Sequence, residues 1–327
     1  MSVRDEFDFI KKVQPATLHH SGLIGIGDDA AIFSVDARFE QIVCVDTMVE
    51  DKHFLPTTMS PYHIGYKALA ANISDIAAMG GIPQYYLVSI SIPSNWKESE
   101  LLEIYDGLKK AGDEYKMDLI GGDTTSTHSK LVISVTAIGK VEAGRRLLRS
   151  NAEEGDVVFV SGTLGDAQGG LDVLLEGNKE VQGQNSYLIR RHQTPTPRVT
   201  LGRILSQFTR VSLNDVSDGL VSELKEISNA SNVNMVIDSE TIPYSRALLE
   251  YNNEKALKWA LTGGEDFELV GTISKENWKQ LSAICEKENI PLSNIGYVQR
   301  GKGKVYIRNK NGELEEVSDS GYNHFFS

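Results

Sequence analysis

The sequence predicts an α/β (α+β) protein of two domains. Short apolar runs suited to buried strands alternate with helical patterns in both halves of the chain. A polar, charged stretch over 142–156 separates those halves, and 327 residues are enough for two domains of ordinary size.

Residues 41–46 (QIVCVD) form a short apolar run ending in Asp46, as a buried strand would. The stretch Ser60 to Met79 predicts a helix with Ser60 as N-cap, Pro61 at the first helical position, and Gly80-Gly81 then Pro83 as its stop. A strand over 84–92 (QYYLVSISI), a helix over 97–116 and a strand over 131–141 (LVISVTAIGKV) follow. The charged stretch EAGRRLLRSNAEEGD then places the boundary between domains 1–145 and 146–327. The second domain opens on VVFVSG (157–162), a strand running into a glycine-rich turn and a helix. Further helices are expected near 197–208, 219–232 and 275–289, and strands near 211–215, 234–238, 268–273, 294–298 and 304–308. There is no fixed-period repeat and no low-complexity tract.

Composition narrows the function. The chain has 45 acidic against 33 basic residues, a formal charge of −12, which argues against a nucleic-acid-binding surface. No apolar run approaches the ~20 residues that span a membrane. The first residues, MSVRDEFDFIKKV, have no signal-peptide core, so a cytoplasmic location is expected. Cys44 and Cys285 form neither a metal nor a disulfide pattern.

Six segments set carboxylates beside glycines or small polar residues at expected element ends: GIGDDAA (25–31), VDT (45–47), NISDIAAMGG (72–81), GGDTT (121–125), NDVSDG (214–219) and GGEDFEL (263–269). Singly, each reads equally as a turn, since Asp and Gly are common turn residues, and Ser217-Asp218 reads as a helix N-cap before Gly219. As a set they ask for more. Asp75 sits inside an alanine-rich apolar helix, where an unpaired carboxylate is costly to bury, with Asn72 on the same face. Converging aspartates repel unless hard cations bind, and oxygen ligands of this kind suit Mg²⁺ with substrate phosphates. The reading is a magnesium-dependent phosphate-handling site. It is not a P-loop, a protein kinase or a nucleophile-elbow hydrolase, whose motifs are absent, and GTLGDAQGG (162–170) reads better as strand–turn–helix than as a dinucleotide loop.

GIGDDAA, VDTMVEDKHF, NISDIAAMGG, GGDTT, FVSGTLGDAQGGL, RHQTPTPRV, DVSDGL, LTGGEDFEL and a terminal GYNHFF resemble, in order, the thiamine-monophosphate kinase family of the aminoimidazole-ribonucleotide synthetase and selenophosphate synthetase superfamily. The resemblance runs from Gly25 nearly to the end of the chain. It implies that superfamily's two-domain fold, with the N-terminal sheet shared across a homodimer. It also implies ATP-dependent phosphorylation of thiamine phosphate to thiamine diphosphate by direct in-line transfer, with several Mg²⁺ ions as cofactor and ATP as co-substrate. Carried onto matching positions, it makes Asp29, Asp46, Asp75, Asp123, Asp215 and Asp218 magnesium ligands. Tyr105, Gly122, Asp123, Arg149 and Ser217 become ATP contacts, with Arg145 and Arg146 as neighbours of Arg149. His53, Glu265 and Tyr322 become contacts to thiamine phosphate. Where family members often carry Ser or Thr, Cys44 and Val45 offer only carbonyl oxygens.

Each of these residues also has a plainer reading. His53 fits a surface histidine, Tyr105 belongs to the apolar stripe Leu101, Leu102, Ile104, Tyr105 and Leu108, Glu265 fits a turn and Tyr322 a terminus. No general base is expected, because a phosphate acceptor is already ionised at neutral pH. Two other functions fit the motifs: a different ATP-dependent synthetase of the superfamily, or a non-catalytic nucleotide or thiamine-phosphate sensor. The lack of a cysteine before Gly25 speaks against the selenophosphate branch. An unpaired QYYLVSISI strand would be an exposed edge unless covered.

Overall fold

The computed structural model describes residues 6–21, 33–177 and 184–317. The chain forms two compact units, one from Met1–Ile76 and Gly81–Gly144, the other from Ala77–Gly80 and Arg145–Ser327. Among the described residues, no helix is long and apolar enough to cross a membrane.

The first unit contains α1 (Glu6–Val13), β1 (Phe39–Val49), α2 (Pro61–Ala78) as far as Ile76, β2 (Ile82–Pro93), α3 (Glu98–Tyr115), β3 (Asp118–Thr127) and β4 (Val132–Glu142). Its sheet has the order β1-β4-β2-β3, antiparallel except for the β2/β3 pair that α3 connects. β2 is therefore an inner strand, paired on both sides, and not the open edge its alternation left possible. On β4 the odd-numbered residues Ile133, Val135 and Ala137 are fully buried while their even neighbours are half-buried, the signature of a sheet with one face on a core. α2 starts as its sequence implies, with Ser60 Oγ accepting the His63 N–H at 3.4 Å. It stops at the glycine pair, where Gly80 takes φ 72° and the Gly81 N–H returns to the Ile76 carbonyl at 2.8 Å. α2 and α3 cross on two glycines. An ideal Cβ on Gly65 would lie 1.8 Å from the Ile104 carbonyl oxygen, and one on Gly107 1.9 Å from that of Tyr62. The helix propensity lost at these two positions is the cost of backbone contact.

The second unit contains a 3-10 turn (Arg149–Asn151), β5 (Val157–Ser161), α4 (Asp166–Leu175), α5 (Gln184–Gln193), α6 (Val199–Leu205), β6 (Ser212–Asp215), α7 (Leu220–Ser231), β7 (Val233–Asp238), α8 (Arg246–Thr262), β8 (Leu269–Ile273), α9 (Lys275–Lys287), β9 (Leu292–Arg300), β10 (Val305–Arg308) and β11 (Leu314–Glu316). They form a sheet ordered β11-β10-β7-β9-β5-β8-β6, with β10/β7 its parallel pair. All five residues of β5 are buried. Val158 and Val160 enter one apolar cluster, with Leu220, Leu224 and Ile227 of α7. Val157 and Phe159 enter another, with Leu201, Leu205 and Leu281. Alternate residues thus reach different cores, and the middle of the sheet is covered on both faces.

Candidate functional site

In the first unit the expected residues lie on β1, α2, β3, α3 and the turn after β1. Cys44 and Asp46 alternate with Val43 and Val45 along β1, and the Cys44 Sγ lies 3.4 Å from the Asn72 carbonyl oxygen on α2. Burial, then the carboxylates of Asp75 and Asp46, push the Cys44 thiol far above its usual range. That setting disfavours the reactive thiolate. The same relationship gathers Asp46 and Asp75 around one side chain. Asn72 is satisfied inside its own helix, its amide donating to the Ala68 carbonyl at 3.0 Å.

His53 sits in the turn after β1, where the Val49 N–H donates to its Nδ1 at 3.0 Å. That bond leaves Nε2 as the donor of the neutral ring. Tyr105 packs edge-on against Phe9, ring centroids 5.6 Å apart, as its place in the apolar stripe of α3 implies; burial raises its phenol. Gly122 and Asp123 are exposed on β3. Register aligns Thr47, Ser134, Ser89 and Asp123 in one polar row across β1, β4, β2 and β3. This row is one residue out of step with Asp46, so Asp123 faces the opposite side of the sheet.

In the second unit Asp215, Ser217 and Asp218 occupy the turn from β6 to α7. Asp215 is buried and Asp218 exposed. Ser217 does not cap α7; Gly219 holds the cap position with φ 106°. The turn is instead organised by Glu223, which is buried in the first turns of α7. Its Oε1 accepts the Asp218 N–H at 3.0 Å and the Ser217 hydroxyl at 3.4 Å, while its Oε2 accepts from the Asn214 amide. Burial, then the charge of Asp215, push the Glu223 carboxyl up to about 8. Arg149 reaches the same group through Glu226, Nη1 to Oε2 2.8 Å, and Glu226 also accepts from Asn214 at 3.2 Å. Arg145 takes a different partner, the Gln207 carbonyl. Glu265 lies beside this turn: its N–H donates to the Ser217 carbonyl at 2.7 Å, and its Oε2 is 3.5 Å from His192 Nδ1.

Beneath Glu265 lies a buried ionic network. Glu268, fully buried, accepts from Arg191 Nη2 at 2.8 Å, from Arg198 Nε at 2.6 Å and from Ser161 Oγ at 2.6 Å. Asp266, also fully buried, accepts the Gly165 N–H at 2.6 Å and the Ala167 N–H at 3.0 Å. The glycine-rich turn before α4 therefore spends these N–H groups on an internal carboxylate, which supports the strand–turn–helix reading of GTLGDAQGG. Glu223, Asp266, Glu268, Arg191, His192 and Arg198 had no assigned role from sequence. Their signal was present: a glutamate early in the helix after DVSDG, and two arginines spaced around TPTP opposite two acids of GGEDFEL.

Asp29, with its neighbour Asp28, and Tyr322 lie outside the described residues. Among the described residues, no three His, Cys, Asp or Glu side chains gather as a metal site. Asp46 and Asp75 share the Cys44 thiol as a neighbour in one unit, and Asp215 and Asp218 share the Glu223 carboxyl in one turn of the other.

Residues 27–141 match the family model of the AIR synthase related protein N-terminal domain, and residues 153–308 that of its C-terminal domain. The chain is 50% identical to the thiamine-monophosphate kinase of Bacillus subtilis (strain 168), over 98% of this chain and 99% of that one. It resembles the crystal structure of thiamine-monophosphate kinase from Stenotrophomonas maltophilia K279a, with TM-score 0.85 and 37% identity over 96% of this chain and 99% of that one. It also resembles AaThiL complexed with AMPPCP and TMP, with TM-score 0.79 and 33% identity over 99% of both chains.

Proposed function

The chain belongs to the thiamine-monophosphate kinase family, built on the AIR synthase related domains, and on that premise we propose how its residues divide the work of thiamine phosphate phosphorylation. It is a kinase that uses ATP to convert thiamine phosphate to thiamine diphosphate, in thiamine diphosphate biosynthesis. Transfer is direct and in line. Donor and acceptor are both phosphates, so the protein's task is to position two anions and offset their charge.

In this reading the first domain, 1–145, carries ATP and metal contacts and the dimer surface, and the second, 146–327, carries further nucleotide and substrate contacts. The side chains available fit Mg²⁺: carboxylates offer the hard oxygen donors it prefers. Asp46 and Asp75, Asp215 and Asp218, together with Asp29, would hold Mg²⁺ in this reading, while Asp123, on the opposite face of its sheet from Asp46, would offer its carboxylate to Mg²⁺ and ATP from that second face. Held by these carboxylates, Mg²⁺ would supply positive charge to offset that of the phosphates. Tyr105, Gly122, Asp123, Arg149 and Ser217 contact ATP; His53, Glu265 and Tyr322 contact thiamine phosphate. A carboxylate at Glu265 suits the cationic thiazolium ring, and an aromatic at Tyr322 stacks on it. No side chain is needed as a base, since the acceptor oxygen is already ionised.

The observation that carries this division of roles is the hydrogen bond from the Glu265 N–H to the Ser217 carbonyl, 2.7 Å, which sets a substrate residue against an ATP residue. Val43 and Val45, 65% and 60% exposed on the sheet face away from α2, support a homodimer through that sheet. Cytoplasmic location accords with the nucleotide supply. Purified protein given ATP, Mg²⁺ and thiamine phosphate is the test: the expected products are ADP and thiamine diphosphate in equal amounts. Sedimentation as a monomer at working concentration would contradict the dimer.

A further inference from the structure

Glu265 takes φ 68° and Phe267 φ 50°, left-handed conformations that side-chain-bearing residues rarely adopt. Two such residues, one apart, persist only where their surroundings over-determine the backbone. The surroundings do so from two sides. On one side the backbone is sewn to the β6–α7 turn: Glu265 N–H to the Ser217 carbonyl at 2.7 Å, Phe267 N–H to the Val216 carbonyl at 2.9 Å, and Val216 N–H to the Glu268 carbonyl at 2.7 Å. On the other side two buried acids reach down. Asp266 takes the Gly165 and Ala167 N–H groups at the start of α4, and Glu268 takes Arg191 and Arg198. Arg191 also donates to the Asp266 carbonyl at 3.0 Å.

Side chains alternate along this stretch. Asp266 and Glu268 are fully buried, while Glu265 keeps a third of its side chain in solvent, beside His192. Resting on the reading that Glu265 contacts thiamine phosphate, we infer that Asp266 is a positioning residue. Its carboxylate fastens the left-handed Glu265–Phe267 loop to the first turn of α4 and so fixes where the Glu265 carboxylate stands. Independent support comes from its burial, which pushes the Asp266 carboxyl up to about 7 despite Arg191 and two backbone donors. A buried acid with so large a desolvation cost is a poor choice for stability alone. The RHQTPTPR segment acquires a role in the same account: its two arginines hold Glu268, the second anchor of the loop.

The test is a double-mutant cycle with steady-state kinetics in both substrates. Asp266→Asn and Asp266→Glu are each made in the native and Glu265→Gln backgrounds, with folding checked by circular dichroism. Asp266→Asn is expected to raise KM for thiamine phosphate at least about tenfold and KM for ATP less than about threefold, and Asp266→Glu to do the same to a smaller extent. In the Glu265→Gln background the further change is expected to be under about twofold, because Asp266 acts through Glu265. If Asp266→Asn does not fold, the selectivity of Asp266→Glu decides. Equal shifts in both KM values, no shift in either, or a full effect retained without Glu265 would overturn the inference. Glu265→Gln alone tests the substrate contact: an unchanged KM for thiamine phosphate rejects that reading, whereas a raised one with no selective Asp266 effect rejects only the clamp.

Discussion

The carbonyl oxygen of Ser217 receives the N–H of Glu265 at 2.7 Å, and an ideal Cβ on the adjacent Gly264 would stand 2.5 Å from that same oxygen. Two segments far apart in sequence, NDVSDG and GGEDFEL, are joined at a spacing that leaves no room for a side chain.

Gly264→Ala therefore forces the two loops apart. The expected result is a loss of about 1–3 kcal/mol in unfolding free energy, as for overpacked interiors, with at least a tenfold fall in kcat/KM. Chemical denaturation and initial rates measure both. A variant with native stability and native rate would mean the two loops can separate freely.

Asp75 is the next test. It shares the Cys44 thiol with Asp46, and the proposed site needs its charge to hold Mg²⁺. Asp75→Asn is expected to lower kcat by about a hundredfold or more and to raise the Mg²⁺ concentration for half-maximal rate. Asp28→Asn is expected to be milder. Equal losses in the two variants would argue against Asp29 as the ligand of that pair and against a distinct role for Asp75.

Thiol chemistry probes the same spot without any substitution. Burial, then Asp75 and Asp46, keep the Cys44 thiol protonated, and burial also raises that of Cys285. Both are expected to react slowly with a disulfide reagent in the native protein and rapidly once it is unfolded. Fast labelling of Cys44 in the folded protein would place it in a more exposed, less acidic setting.

The sign of the pH effect at Asp266 is set by its carboxyl, which burial raises from 3.8 to about 7 in the folded protein. Its contribution to stability is therefore present below the unfolded value and lost as pH rises through about 7. Asparagine does not titrate. Between about pH 5.5 and about pH 8 the native protein is expected to lose on the order of 2 kcal/mol relative to Asp266→Asn. Urea midpoints at the two pH values measure it, and a pH-independent difference would show that Asp266 is already ionised at low pH.

How much of this was legible depended on the element. α2 could be read because its start, Ser60-Pro61, and its stop, Gly80-Gly81, bracket an apolar run. β5 could be read because all its residues are apolar or small. β3 could not: in DLIGGDTTST only the first three residues are buried, and the rest form an edge with no apolar alternation. α5, QNSYLIRRHQ, buries Arg191 and His192 as well as Leu188 and Ile189, so hydrophobic period does not reveal it. α8 is broken at Asn252, with φ −156°, which interrupts its pattern. At the site, the acid-and-glycine segments stood out, but which of them meet is decided by register. A single residue of strand phase sends Asp46 and Asp123 to opposite faces. The buried acids Asp266 and Glu268 were hidden for a related reason, since nothing in GGEDFEL tells which carboxylates turn inward.

Phosphoryl transfer to thiamine phosphate is measured by following both products at once: ADP by a coupled assay and thiamine diphosphate by chromatography, with ATP and Mg²⁺ in excess. One ADP is expected for each thiamine diphosphate, and no ADP when thiamine phosphate is left out. ATP turnover without thiamine diphosphate, or binding of both substrates with no product, would contradict it.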